Sequence, residues 1–160
     1  MLSKLKMELG INAVNKMTQM FKDMKFSKEM HSDFDKNANN RVNGVEMSTI
    51  QVLTNGNWPI DEPTPCIIPP VMKELTVKFE RFYNSKFNNR KLMWLSQFGT
   101  VEMSPLFTTR KGYQLIVNVF QATVLNLFNE KDSYTYQELS EKTQVPKARL
   151  DAGLIMMCKP

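Results

Sequence analysis

The residues whose types and spacing best suit chemistry are the oxygen-bearing side chains between Asp35 and Glu46. With Asp35 as position 1, ligand-type residues stand at positions 1, 3, 5, 9 and 12 of a calcium-binding EF-hand loop. The ligands would be Asp35, Asn37, Asn39, the Arg41 carbonyl oxygen and a bidentate Glu46. Against this hypothesis, Asn40 stands where the sharp turn requires glycine, and the β-branched residues after Glu46 indicate a strand instead of a helix. Calcium binding is therefore the alternative hypothesis, and an Asn-rich turn is the simpler interpretation.

Other catalytic or metal chemistry has few candidate residues. His31 is the only histidine, which excludes a site with two histidine ligands, and its polar surroundings favour a solvated surface residue. Cys66 and Cys158 are the only cysteines, and their wide separation excludes a disulfide framework or a zinc ribbon. The sequence contains neither a glycine-rich phosphate loop nor a G-x-S-x-G motif. We therefore expect a protein that is not an enzyme and that holds no metal or cofactor.

Length and composition indicate a folded, intracellular protein. The 160 residues suffice for one domain or a few small subdomains, and 42% of them are apolar. Lys and Arg total 21 against 16 Asp and Glu, and this charge of +5 is too small to imply nucleic acid without a concentrated patch. No apolar run is long enough to span a bilayer, and the start lacks the apolar stretch of a signal peptide. We expect neither nucleic acid nor a membrane as a partner.

The first third of the chain predicts helices followed by a strand. An apolar stripe with helical spacing over 12–24 comprises Val14, Met17, Met20, Phe21 and Met24. Ser27 is suited to cap a second helix that runs to about Asn37. Leucines near the start also have helical spacing but no cap before them, so we expect the chain to begin within a helix; they are Leu2, Leu5 and Leu9. The β-branched residues of 45–54 predict the first strand.

A proline-rich loop and a mixed segment make up the middle. Five of the eight prolines lie within 55–70, which predicts an ordered crossing loop without regular structure. Pro70 suits the first turn of a helix that ends near Tyr83. Three further strands are predicted at 91–98, 100–107 and 113–118.

The last forty residues predict three helices, at 118–129, at 136–143 and from Pro146 onward, the last two joined as a helix-turn-helix. Five basic and five acidic residues balance over 116–160, which argues against DNA binding. The chain stops before any β-hairpin that would complete a winged helix, so we expect its end to be truncated. The predicted core comprises Phe21, Phe34, Leu53, Trp58, Phe79, Phe82, Trp94, Leu115, Phe120 and Leu127.

Two features favour an assembly role. Four basic residues occur without an acidic one over 81–91, namely Arg81, Lys86, Arg90 and Lys91. They are either a solvated loop, which composition alone favours, or a docking patch for an acidic partner segment. The small predicted sheet could also accept a strand from another chain at an unpaired edge.

Several stretches together resemble the C-terminal region of cullins. They are 20–24 (MFKDM), 52–59 (VLTNGNWP), 79–83 (FERFY), 90–94 (RKLMW) and 120–129 (FQATVLNLFN). They occur in the cullin order and at similar spacing over essentially the whole chain. The L-T-x-G-x-W-P and R-K-L-x-W motifs are the most specific of them.

The resemblance implies an α+β fold with three parts. These are the end of a four-helix bundle plus a first strand (1–54), an α/β domain with a small mixed sheet and a covering helix (55–115), and an incomplete winged-helix three-helix unit (116–160). It also implies a location in the cytoplasm and nucleus. The substrate-adaptor repeats of cullins and their last winged-helix module, which carries the modified lysine, have no counterpart in this sequence. We therefore expect neither substrate recruitment nor activation by that modification.

The resemblance further implies a non-catalytic scaffold subunit of a cullin–RING ubiquitin ligase. In that family an N-terminal strand of the RING-box protein is built into the sheet of the α/β domain. The corresponding partner-binding residues here would be Ile50, Val52, Leu53, Leu92, Trp94, Val101 and Met103. The basic docking patch of Arg81, Lys86, Arg90 and Lys91 would attract the acidic tail of a ubiquitin-conjugating enzyme. No cofactor is implied.

Overall fold

The computed structural model describes residues 8, 10–37, 40–106 and 113–158, which form five helices and two antiparallel two-stranded sheets. The helices are α1 (Ile11–Asn37), α2 (Pro70–Lys86), α3 (Val119–Leu127), α4 (Tyr136–Thr143) and α5 (Lys147–Cys158). The strands are β1 (Arg41–Val42), β2 (Val45–Glu46), β3 (Thr100–Met103) and β4 (Leu115–Asn118), and a 3-10 turn spans Ser96–Phe98. The predicted α+β class is confirmed.

The chain divides into two compact units. The first comprises the described parts of 1–61 and 74–90, and the second those of 62–73 and 91–160. The β1–β2 hairpin belongs to the first unit and the β3–β4 hairpin to the second. The three-part division expected from the sequence stays a prediction.

Helix α1 is one continuous helix, so the predicted break before Ser27 is wrong. Ser27 lies buried in the helix interior, where its Oγ donates to the Asp23 carbonyl oxygen at 2.7 Å. This bond to the carbonyl four residues earlier lets a serine sit in a helix without capping it. The same Oγ accepts the backbone N–H of Val52 at 2.8 Å, so Ser27 also holds the loop that follows the β1–β2 hairpin.

The apolar stripe predicted on α1 is largely on its outer face. Val14 is buried, but Phe21 is 71% exposed and Met24 50% exposed, so the core assignment of Phe21 is wrong. Polar Asp23 and Ser27 interrupt the buried line of α1 between Val14 and Met30, and a periodicity argument that follows apolar residues alone does not recognise such a face.

Aromatic rings form the core of the first unit. Phe34 on α1 and Phe79 on α2 are almost completely buried, with ring centroids 5.3 Å apart at 88°. The ring centroids of Phe82 and Phe34 lie 5.2 Å apart, and those of Tyr83 and Phe87 lie 4.9 Å apart. These two contacts continue the cluster to the end of α2. Such edge-to-face pairs contribute about 0.5–1.5 kcal/mol each beyond the area they bury. The helix predicted from Pro70 is confirmed and ends at Lys86 instead of Tyr83.

The predicted strand over 45–54 is wrong except at Val45–Glu46, which pairs with Arg41–Val42 in a tight hairpin. Its turn residues, Asn43 and Gly44, have φ of 49° and 82°, as a two-residue turn that matches strand twist requires. Residues 47–53 are irregular, and within them the Val52 backbone bonds to the Ser27 side chain of α1 instead of a neighbouring strand.

The same hairpin does not support the calcium hypothesis. Glu46 Oε2 accepts from Arg41 Nε at 2.6 Å, and Asp35 Oδ1 accepts from Asn40 Nδ2, so both outer carboxylates of the candidate loop already have partners. Val45–Glu46 is a strand and residues 47–53 are irregular, where an EF-hand has its exiting helix. Asn39 and the side chain of Asn37 lie outside the described residues. Among those described, no three His, Cys, Asp or Glu side chains are grouped to hold a metal ion.

The carboxylate of Asp23 fastens the loop of the L-T-x-G-x-W-P motif to α1. Asp23 is 5% exposed and accepts four hydrogen bonds: from the Thr54 backbone N–H, the Thr54 hydroxyl and Trp58 Nε1, each at 2.8 Å, and from Gln19 Nε2 at 2.9 Å. Gly56, with φ of 81°, turns the chain between the two loop donors. The hydrogen bonds outweigh burial, which alone would raise the pKa of Asp23, so its pKa lies below the ordinary value.

In the second unit, side chains anchor the proline-rich loop. Gln97 accepts from the Thr64 N–H at 3.2 Å and donates to the Glu62 carbonyl oxygen at 2.9 Å. Further along, the Ile67 N–H donates to the Thr143 carbonyl oxygen at 2.8 Å. The prediction of an ordered loop without regular structure is confirmed. Gln97 belongs to the 3-10 turn that replaces the predicted strand 91–98, which is wrong.

The predicted three-helix unit is confirmed as α3, α4 and α5. Its core comprises Phe120, Val124, Leu139, Val145 and Leu150. Capping boxes begin α3 at Asn118 and α4 at Thr135, each with both reciprocal hydrogen bonds. The hydrogen bond from Lys131, followed by those from Thr135, lowers the pKa of Glu138, the partner in the second box, to about 2.

The other predicted core residues divide into two groups. Phe34, Phe79 and Phe120 are buried, as predicted. The remaining six are half-buried: Leu53, Trp58, Phe82, Trp94, Leu115 and Leu127.

Replacing Asp23 tests its role in holding the loop. In Asp23→Ala, the part-buried donors of Thr54 and Trp58 lose their acceptor, and we expect the free energy of unfolding to fall by about 1–3 kcal/mol. Chemical denaturation followed by far-ultraviolet circular dichroism measures it. A loss below about 0.5 kcal/mol would show that the loop holds without this carboxylate.

Acid unfolding provides an independent check on the same residue. Because the folded-state pKa of Asp23 is lowered from 3.8, its stabilisation is complete above the unfolded-state pKa and is lost as pH falls through the folded-state pKa. Between pH of about 6 and about 3, wild type should therefore lose more stability than Asp23→Asn. Parallel pH profiles would contradict this assignment.

Gly99 and Gly153 form a matched pair for a packing test. A Cβ on Gly99 would lie 2.6 Å from Val119 Cγ2, and Val119 is a stiff β-branched residue at the start of α3. We expect Gly99→Ala to cost about 1–3 kcal/mol. In Gly153→Ala the new Cβ meets Gln121 Cγ at 3.6 Å, and a helix-interior alanine should stabilise by about 0.5–1 kcal/mol. Thermal melts of both variants measure the difference, and equal effects would refute the packing argument.

Candidate strand-addition site

The β3–β4 hairpin is the part of the fold best suited to receive another chain. Its register pairs Thr100 with Asn118, Val101 with Val117, Glu102 with Ile116, and Met103 with Leu115. Each strand has one neighbour, so in the part of the chain that the structure describes the outer edge of each strand pairs with no third strand. Such an edge presents backbone donors and acceptors to an incoming strand.

The two faces of this hairpin differ in character. Val101 and Met103 are half-buried on one face, whereas Thr100 and Glu102 are exposed on the other. Ile116, opposite Glu102, is 72% exposed.

The partner-binding residues predicted from the sequence do not all lie on strands. Only Val101 and Met103 do. Leu92 and Trp94 are half-buried in the irregular segment before the 3-10 turn of the second unit. The other three belong to the irregular loop of the first unit: Ile50, which is buried, and Val52 and Leu53, which are half-buried. Their role in binding a partner stays a prediction.

The predicted basic patch is likewise divided. Arg81, Lys86 and Arg90 belong to the first unit, and Lys91 to the second. The three side chains of the first unit are exposed.

Aromatic rings and a carboxylate position two of these cations. Lys86 Nζ lies 2.5 Å from Asp33 Oδ2 and 4.8 Å from the centroid of Phe82. The hydrogen bond from Lys86 lowers the pKa of Asp33. The guanidinium of Arg90 lies 4.7 Å from the centroid of Phe87. The Asp33 carboxylate therefore partly offsets the charge of Lys86, whereas the guanidinium of Arg90 faces an aromatic ring.

Sequence reasoning missed Asp23 and Glu102. Asp23 lies next to apolar residues in the first cullin-like stretch. Only its occurrence together with the threonine and tryptophan of 52–59 could have indicated that it accepts hydrogen bonds from that loop. Glu102 is the charged residue within β3, and a charge at the centre of a short strand is a recognisable sign of an edge.

Both cysteines are free thiols. Cys66 Sγ lies 3.7 Å from Thr123 Oγ1, and burial raises the pKa of its thiol. Cys158, at the end of α5, is exposed and unpaired. None of the described helices is long and apolar enough to cross a membrane.

Comparison with known proteins gives a consistent result. A family model for the cullin alpha+beta domain matches residues 52–160. Cullin-3A of Arabidopsis thaliana is 34% identical over 147 residues, which are 92% of this chain and 20% of that protein. Cullin-3 of Dictyostelium discoideum is 30% identical over 161 residues, with 100% of this chain and 21% of that protein covered. For mouse Cullin-4A (Mus musculus) the identity is 36% over 152 residues, with 94% and 20% covered.

The chain thus spans about a fifth of the length of the curated relatives it matches. The family model covers the proline-rich loop, the β3–β4 hairpin and the three-helix unit, and the relatives extend the likeness through α1. On this evidence of sequence and fold, the chain belongs to the cullin family.

Proposed function

We propose that this chain is a non-catalytic scaffold segment of a cullin–RING ubiquitin ligase, which binds a RING-box protein by adding a strand to its sheet. The observation that carries the proposal is the β3–β4 hairpin, whose outer edges pair with no third strand among the described residues. A two-stranded sheet is marginal by itself and gains stability from a third strand.

The chemistry of β3 suits such a partner. Main-chain hydrogen bonds supply affinity in strand addition, and alternate side chains supply specificity. Val101 and Met103 would give the incoming strand an apolar row to cover, since both are half-buried on the same face. The chain itself would contribute position and not catalysis.

Co-expression with a RING-box protein followed by size-exclusion chromatography tests this function. We expect the two chains to co-elute, and deletion of the N-terminal strand of the RING-box protein to abolish co-elution. Met156→Ser is the control, because it removes a 67% exposed apolar side chain from α5 without touching the sheet. Separate elution of two folded proteins would refute the proposal.

A second interaction is proposed for the basic side chains of the first unit. We infer that Arg81, Lys86 and Arg90 attract the acidic tail of a ubiquitin-conjugating enzyme. Support comes from the rings of Phe82 and Phe87, which hold two of these cations at one end of α2. A preorganised cation loses less side-chain entropy when it binds an anion.

Fluorescence anisotropy with an acidic peptide tests the second interaction. Arg81→Glu should weaken binding about threefold to tenfold at low ionic strength, and added salt should reduce the difference. Lys28→Glu, at an exposed cation of α1, is the control with the same change of charge. Equal losses in both variants would show a response to net charge and not to a patch.

The cytoplasm and nucleus are the proposed location, since ligases of this class act there. We propose no nucleic acid or membrane as a partner.

A further inference from the structure

Two Asn-Gly pairs lie in turns of the first unit, and this dipeptide has a chemistry of its own. They are Asn43–Gly44 in the β1–β2 turn and Asn55–Gly56 in the loop of the L-T-x-G-x-W-P motif. The backbone nitrogen that follows an asparagine can attack the side-chain amide carbon and close a five-membered succinimide ring. Glycine hinders this attack least, because it has no Cβ. At both glycines a built Cβ would meet no atom within 4 Å, so neighbouring atoms crowd neither pair.

The surroundings of Asn55 leave the attack open. Asn55 and Gly56 are both exposed. Within the described ranges, neither the Gly56 N–H nor the Asn55 side-chain amide has a hydrogen-bond partner. A bond across this turn runs from the Asn57 N–H to the Thr54 carbonyl oxygen at 3.4 Å, which is long for a backbone hydrogen bond. The glycine nitrogen is therefore free to turn toward the amide carbon.

Asn43 is held more firmly. It occupies a two-residue turn directly between Val42 and Val45, which pair in the ladder. Its φ of 49° and the φ of 82° at Gly44 are both positive, as in a type I′ turn. A rotation that brings the glycine nitrogen to the amide carbon must be absorbed by Gly44 alone before the ladder resumes. Ring closure at Asn43 therefore requires the short hairpin to open.

We propose that Asn55 deamidates spontaneously in the folded protein, and that it does so faster than Asn43. The Gly56 nitrogen loses its proton and attacks the Asn55 amide carbon, and the side-chain nitrogen leaves as ammonia. Water then opens the succinimide at one of its two carbonyl carbons. The product is aspartate, or isoaspartate, in which the main chain runs through the former side chain. The sum is one water consumed and one ammonia released, without an oxidant or reductant, and the inference does not depend on the proposed function.

The modified loop is the one that Asp23 anchors. The Thr54 backbone N–H and Trp58 Nε1 donate to that carboxylate at 2.8 Å, from either side of Asn55 in the chain. Isoaspartate adds one carbon to the main chain between these two donors, so their spacing changes. Aspartate adds only a charge at an exposed position. We therefore expect the isoaspartate form to melt about 2–6 °C below the unmodified protein, and the aspartate form within about 1 °C of it.

Incubation of the full chain in mildly alkaline buffer at physiological temperature tests the proposal. Cleavage after Glu46 places Asn43 and Asn55 on different peptides, and tandem mass spectrometry follows a gain of about one dalton at each asparagine. In the folded protein we expect at least about threefold more product at Asn55 than at Asn43. In denaturant, where both turns are lost, the two rates should be nearly equal. Asn55→Gln is the matched control, because glutamine must close a six-membered ring and should give no measurable product.

Each outcome decides one part of the proposal. Equal rates in the folded protein, or a faster reaction at Asn43, would refute the selection of Asn55. No product at Asn55 over a period in which the denatured chain reacts would refute deamidation of the folded protein. Thermal melts of the chromatographically separated isoaspartate form and of Asn55→Asp measure the effect on the loop. An isoaspartate form that melts together with the unmodified protein would show that the Asp23 anchor tolerates the added carbon, against the expectation above.

Discussion

A single buried carboxylate holds the first unit together. Asp23 receives all four of its hydrogen bonds from neutral donors, three of which come from the loop of the L-T-x-G-x-W-P motif. Burial of a charge without a cation is costly, and here several short hydrogen bonds offset that cost. The loop cannot become a strand, because its backbone at Val52 and Thr54 already bonds to α1. The motif is therefore a structural anchor, and this explains why threonine, glycine and tryptophan occur at that spacing.

In the second unit, a close approach at Gly99 has the comparable role. The Gly99 carbonyl oxygen accepts the Val119 N–H, and no Cβ intervenes between the 3-10 turn and the first residue of α3. This contact fixes where β4 ends and the helix begins. Because the Asn118 capping box lies in the same place, the ladder ends there on β4 while β3 keeps its outer edge. The open edge is thus a consequence of how the helix is started.

Local signals in the sequence predicted the three-helix unit and the proline-rich loop well. Some features act over only a few residues, so their effect can be inferred from a single sequence. They are the helix caps at Asn118 and Thr135, the left-handed Gln144 and the prolines. The predicted strands over 45–54 and 91–98 were wrong. β-Branched and aromatic content does not show whether a backbone will hydrogen-bond to a neighbouring strand or to side chains. The core assignment of Phe21 was wrong for a related reason. Periodicity identifies an apolar stripe on a helix, but it does not show which side of the helix the rest of the protein covers. The sequence predicted the candidate site only as a set of segments, because the register of β3 against β4 determines which backbone groups lie at the edge of the sheet.

An open edge is also a hazard, and the sequence of β3 bears on it. A short strand with a central carboxylate is poorly suited to pair with another copy of itself, since two antiparallel copies centred on this residue would place like charges side by side. Glu102 therefore disfavours pairing of β3 with a second copy of itself.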